Sequence, residues 1–110
     1  MDVEVKTWLM DIRNAISEIS SFLPASKDID FLHDDLKTRR AIERNIEIIG
    51  EAMNRILKKQ PEFPVSNARK IVDTRNRISH GYDTVSDQVI WTIITRDLIL
   101  LGQEVDRLLE

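Results

Sequence analysis

The chain has 110 residues, 42% hydrophobic and 32% charged, with a formal net charge of −3, the size of one domain, spanning residues 1–110, with a single modest core. It has no cysteine and only two separated histidines, which excludes disulfides and thiolate metal sites and argues against zinc. No apolar run approaches the roughly 18 residues of a membrane span, and the N-terminus lacks a signal-peptide pattern, so no membrane is expected and the cytoplasm is the expected location.

Taken in order, the first predicted element is a helix. Val5, Trp8, Leu9, Ile12, Ala15, Ile16, Ile19 and Leu23 recur at helical spacing. Lys6, Asp11, Arg13, Asn14 and Glu18 form the solvated side. Trp8 reads as core packing rather than a binding platform. Pro24 stops this helix, and Ser26 can cap a short turn or helix over residues 27–34. His33 lies there among Asp30, Asp34 and Asp35, which reads as a solvated loop rather than a metal site.

A second long helix is predicted from Leu36 to Lys59, with Ala41, Ile42, Ile46, Ile48, Ile49, Ala52, Met53, Ile56 and Leu57 as its apolar positions. These are wider than one stripe, so the helix faces two neighbours. Either the second neighbour is another copy of the chain, or the helix is the buried centre of a bundle. Glu43 and Glu47, at i and i+4, are both candidates to orient an arginine elsewhere, whereas Asn45 reads as structural.

Pro61-Glu62-Phe63-Pro64 breaks the chain. Phe63 and Val65 are placed to plug the end of the bundle, and Ser66 can cap the next helix. That helix carries Arg75-Asn76-Arg77-Ile78-Ser79-His80-Gly81-Tyr82, and Gly81 is suited to end it because it accepts positive φ. Asp83 to Asp87 then connect to a last helix with Val89, Ile90, Ile93, Ile94, Leu98, Leu101, Val105 and Leu108 on one stripe, broadened by Trp91 and Leu100. Three Gly and three Pro leave few breaks, and there is no strand alternation, internal repeat or Gly-rich phosphate loop. The expected class is all-α, an antiparallel helical bundle of four to five helices.

Ile71, Arg75 and Ile78 fall at i, i+4 and i+7, so Arg75 interrupts an apolar face. A guanidinium there needs a carboxylate, a water-filled cleft or an anionic ligand. Asn76 and His80 share the neighbouring face. Arg75 and His80 are separated by about 7.5 Å of helical rise and roughly 140° around the axis, so both can border one cleft at a helix end. A neutral imidazole passes protons near pH 7, and a fixed arginine stabilises charge on a phosphoryl oxygen. The pair therefore suits phosphodiester chemistry that uses no metal or cofactor. An ion-pair anchor beside a capping or core histidine is the other reading of the same residues.

Charge is unevenly placed. Residues 37–44 carry a net +3, residues 66–82 another +3, and residues 83–110 a net −4. The two basic segments either form a local anion-binding surface or pair with acidic segments of the same chain or a partner.

The pattern R-x-x-x-x-H-x-Y at Arg75, His80 and Tyr82, preceded by Lys70-Ile71-Val72-Asp73-Thr74, resembles the signature of HEPN domains and, more narrowly, of HepT-like toxins of HepT–MntA toxin–antitoxin pairs. Lys37 to Ala52 resembles the central helix of that family, and Trp91 and the amphipathic last helix fit as well. The resemblance implies a homodimeric HEPN-like bundle in which two motifs share a composite cleft. It implies an endoribonuclease that cuts RNA, such as tRNA or mRNA, through the ribose 2′-hydroxyl without a metal. His80 would then be general acid–base and Arg75 the charge stabiliser. Asn76 and Glu43 would shape the site, Arg77, Arg40 and Arg44 are candidate RNA contacts, and Tyr82 would accept AMP from an MntA-like nucleotidyltransferase antitoxin. A non-catalytic helical module that binds nucleotide or the nucleotidyltransferase, and so acts as the antitoxin of the pair, is the alternative.

Overall fold

The first helix starts where a carboxylate can take its free N–H groups. Asp2 accepts from Glu4 N–H at 2.8 Å and Val5 N–H at 3.1 Å, which caps α1 (Val3–Phe22). In this computed structural model, which describes residues 1–23, 28–80 and 85–110, α1 buries Val5, Leu9, Ile12, Ala15 and Ile19, the inner part of the predicted stripe. Trp8 is half-buried against the core, with Lys59 Nζ 5.9 Å from its ring centroid, a cation–π contact at the rim. Pro24 and Ser26, like Gly81 and Tyr82, lie outside the described residues.

A single turn, α2 (Phe31–Asp34), buries Leu32 and leaves His33 exposed. Asp35 then accepts from Thr38 N–H at 3.1 Å and caps α3 (Leu36–Lys59). The bounds of α3 are those expected. Its width is explained within one chain, because α1 packs on one side of α3 and α4 (Ala68–His80) on the other. The helix is the buried centre of the bundle, so its wide apolar face does not by itself call for a second copy. Ile42, Ile46, Ile49, Met53 and Ile56 are each at most 1% exposed, and burying each such side chain contributes about 1.5–3 kcal/mol.

The packing is antiparallel on both sides. Lys59, at the end of α3, reaches Asp2 at 3.2 Å and Glu4 at 2.8 Å at the start of α1. Along the other side, Gly50 lies against Arg75 and Glu47 against Ser79. The last helix runs without a break through α5 (Asp87–Thr92), a π-helical turn over Ile93–Asp97, and α6 (Leu98–Leu108). With those three continuous, the described residues build five helical units and no strand. The expected all-α bundle is the fold.

The π turn, a single wide turn inside an α-helix, has no counterpart in the periodicity reading. It buries Ile93, Ile94 and Asp97 together. Asp97 accepts from Lys70 Nζ at 2.7 Å and Arg96 Nε at 3.2 Å, so the buried carboxylate is paired. Phe63 and Val65 pack against the core at the α3–α4 connection, as expected.

Candidate active site

Helix α4 begins differently from the sequence expectation. The residue before its first turn is Asn67, in a left-handed conformation at φ 60°, a region asparagine tolerates better than most residues. Its carbonyl accepts from Ile71 N–H at 3.1 Å. Ser66, expected as the cap, donates its backbone N–H to Glu104 Oε2 at 3.0 Å instead. That contact ties the entry of α4 to α6. Ala68, Ile71, Val72 and Thr74 then point inward, and this fixes how far round the helix Arg75 and His80 project.

Arg75 is half-buried, and its root lies on Gly50 of α3. A Cβ built on Gly50 would stand 2.2 Å from Arg75 Cβ, 2.8 Å from its Cγ and 3.2 Å from the Ile71 carbonyl oxygen. Only a residue without a side chain admits that approach. At the other end of the side chain, Arg75 Nη1 donates to Asn76 Oδ1 at 2.9 Å. Between these two contacts, Arg75 Nε is buried and, among the described residues, has no hydrogen-bond partner. Leaving such a donor unsatisfied costs about 1–3 kcal/mol.

Neither glutamate expected to orient Arg75 does so. Glu43 accepts from Arg40 Nη1 at 2.6 Å and lies 3.8 Å from Arg39 Nε. Glu47 accepts from Ser79 Oγ at 2.8 Å. Helical spacing placed both carboxylates on the correct helix, but nearer donors on α3 itself and on the last turn of α4 engage them first. Asn76, on the motif helix, is the residue that holds the guanidinium.

His80 is the last residue of α4 and is exposed. The helix is continuous from Arg75 to His80, so the two remain about 7.5 Å apart along the axis and roughly 140° apart around it. Tyr82 falls outside the described residues. Arg77 and Arg44 are exposed, whereas Arg40, also exposed, is paired with Glu43.

The basic segments divide between the two readings open in the sequence. Arg39, Arg40 and Lys70 pair with Asp87, Glu43 and Asp97 of the same chain. Arg44, Arg69 and Arg77 remain exposed cations. Asn45, as expected, is buried and structural, and donates to the Ala41 carbonyl at 3.2 Å.

Two residues of this region were not singled out as site residues from the sequence. Arg39 is buried, donates to the Asp87 carboxylate and reaches the Val85 carbonyl at 2.5 Å. It fixes the chain to α3 where the last helix begins. Gly50 is the other, and its signal was present, since a glycine inside a long helix costs about 1 kcal/mol against alanine and asks for a packing reason.

Among the described residues no three His, Cys, Asp or Glu side chains are grouped to hold a metal ion, and no helix is long and apolar enough to cross a membrane. A separate cleft of about 270 Å³ lies between Ser20, Phe31, Trp91 and Ile99; it contains no residue of the motif.

The family model described as ribonuclease HepT-like matches residues 12–108. A Thermococcus cleftensis protein named "Probable ribonuclease HepT" is 34% identical over 107 residues, covering 94% of each chain. Two Methanocaldococcus jannaschii proteins named "Putative RNase" are also similar. One is 30% identical over 106 residues, 94% of each chain, and the other 28% identical over 95 residues, 83% of this chain and 75% of its own. No solved structure is a significant match.

Proposed function

The chain belongs to the ribonuclease HepT-like family, and from that premise we propose that it is a metal-independent endoribonuclease, the toxin of a toxin–antitoxin pair. The observation that carries this reading is Arg75. Its side chain is held at the root by Gly50 and at the tip by Asn76, five residues before His80 at the end of the same helix. A clamped guanidinium beside an exposed imidazole is a phosphate-and-proton site.

In the proposed reaction an RNA strand lies across the end of α4. The imidazole of His80 takes the proton of a ribose 2′-hydroxyl, and the 2′-oxygen attacks the adjacent phosphorus. The bond from phosphorus to the 5′-oxygen of the next nucleotide breaks, and that oxygen leaves with the proton that the His80 imidazolium returns. The products are a 2′,3′-cyclic phosphate and a 5′-hydroxyl. Arg75 stabilises the charge that builds on the non-bridging oxygens, and Asn76 keeps it aimed. The requirement for a 2′-hydroxyl makes the activity specific for RNA. Arg44 and Arg77 contact the strand through phosphates, joined by Arg40, while Glu43 shapes the α3 surface by holding Arg39 and Arg40. Two copies pair so that their α4 ends form one cleft.

Tyr82 is two residues beyond His80, and in this reading it is the switch. An MntA-like nucleotidyltransferase antitoxin joins the tyrosine oxygen to the α-phosphorus of ATP and releases pyrophosphate. The attached AMP brings negative charge and bulk to an anion site and excludes RNA. Expression of the chain alone then arrests growth, and expression of His80→Ala at the same level does not. Growth unaffected by the unsubstituted chain would contradict the toxin assignment.

A further inference from the structure

Gly50 lies on α3, twenty-five positions from Arg75 in sequence, and it is buried. We infer that Gly50 is the positioning residue for Arg75: the missing side chain at this one position of α3 sets where the Arg75 guanidinium can stand. The inference rests on the ribonuclease reading for its consequence, and on geometry alone for its substance.

The nearest atoms to a Cβ on Gly50 are Arg75 Cβ and Cγ, at 2.2 and 2.8 Å. Cβ is fixed by the α4 backbone, so no change of rotamer relieves that contact. The Ile71 carbonyl oxygen, one turn earlier on α4, stands at 3.2 Å, so the α4 backbone also faces the added methyl. A methyl at position 50 must therefore push α4 outward at Arg75, by something on the order of 1 Å.

The tip has little freedom to compensate. Nη1 is engaged by Asn76 Oδ1, and Nε is buried in the seam between α3 and α4. Outward movement of α4 opens that seam and exposes Nε to water. The other glycine on a described helix behaves differently. A Cβ on Gly102 would meet only Ile16 side-chain carbons, at 3.8 and 4.0 Å, which is ordinary contact. Close approach is thus particular to the glycine beneath Arg75.

The test is Gly50→Ala, read in three ways. The Arg75 Nε–H resonance, assigned by its loss in Arg75→Lys, should exchange slowly with water in the unsubstituted chain because the group is buried. In Gly50→Ala it should shift and exchange faster. RNA cleavage per folded molecule should fall on the order of 10²-fold in kcat, as a 1 Å misplacement of a charge-stabilising group does, with KM little changed. Added to Arg75→Gly, which removes both side-chain contacts, the same substitution should cause no further loss.

If Gly50→Ala does not fold, Gly50→Ala combined with Arg75→Gly removes the 2.2 Å and 2.8 Å contacts and should fold. An unshifted, slowly exchanging Nε–H in Gly50→Ala overturns the inference. So does a double variant that folds no better than the single one, because the obstruction would then be the α4 backbone. The resonance and the folding rescue do not depend on RNA, so an unsubstituted chain that cleaves no RNA would count against the ribonuclease reading only.

Discussion

Ser79 Oγ donates to Glu47 Oε2 at 2.8 Å, and this bond fastens the last turn of α4 to the middle of α3. His80 follows directly. The bond is exposed, so its removal costs little stability, about 0.5 kcal/mol. It should cost more in activity, because the end of a helix frays when its anchor is lost. Ser79→Ala is expected to leave the thermal midpoint nearly unchanged and to lower RNA cleavage several-fold. Calorimetry and a cleavage time course on the same preparation would check both halves.

Arg39 is held by three contacts. It is buried, donates to Asp87 and to the Val85 carbonyl, and lies 3.8 Å from Glu43. Arg39→Met would strand a buried carbonyl and weaken the pairing of a buried glutamate. The expected loss is about 3 kcal/mol, measured as a shift in the urea midpoint with unchanged slope. Arg39→Lys should recover only part of it, because an ammonium lacks the planar fork that serves the carboxylate and the carbonyl together.

The Lys70–Asp97 pair is asymmetric. Asp97 is buried, whereas Lys70 is 42% exposed and Arg96 is 70% exposed. Removing the carboxylate lets both cations return to water, so Asp97→Asn should cost only about 1 kcal/mol. Removing the nearer cation leaves a buried carboxylate with the longer Arg96 contact alone, so Lys70→Met should cost more, about 2–3 kcal/mol. Denaturant unfolding of the two variants should show that order.

The helix caps predict the pH range of stability. Val5 N–H, then Lys59, hold the Asp2 carboxyl below its usual value of 3.8. The Thr38 hydroxyl and N–H do the same for Asp35. A lowered carboxylate contributes stability that is present above its usual value and is lost as pH falls through the folded one. Lys59 is raised above 10.5 by Glu4 and Asp2, so its contribution is complete below 10.5 and fades as pH rises beyond that. The thermal midpoint should therefore lose the cap contributions below about pH 4 and the lysine contribution only above 10.5. Asp2→Asn, which keeps an acceptor but not the charge, should shrink the acid limb to the Asp35 share and weaken the alkaline limb, where Glu4 still holds Lys59.

Much of this was legible in the sequence because the signals were local. The stripe from Val5 to Ile19 and the run from Leu36 to Lys59 are strong helical periods. The described helices follow them, with α3 at the expected ends. What depended on packing was not legible. The width of α3 told of two neighbours but not that α1 and α4 of the same chain supply both. Spacing put Glu43 and Glu47 on one face of α3 but could not tell which donors would reach them first. Ser66 has the side chain of a cap, yet Asn67 holds the position because it accepts the left-handed backbone the chain needs there. The π turn left no trace, since one wide turn scarcely changes an apolar period.

The central claim is that Arg75 and His80 cut RNA without a metal. The most direct measurement is cleavage of total RNA and tRNA by purified protein in EDTA, with intact mass showing no adduct on Tyr82. His80→Ala and Arg75→Ala, each checked for native folding, run alongside. The account predicts cleavage that leaves 2′,3′-cyclic phosphate ends, reduced by about 10²–10⁴-fold in His80→Ala and by a comparable factor in Arg75→Ala. Folded, unmodified protein that leaves every RNA intact, or variants that cleave as fast as the unsubstituted chain, would contradict it.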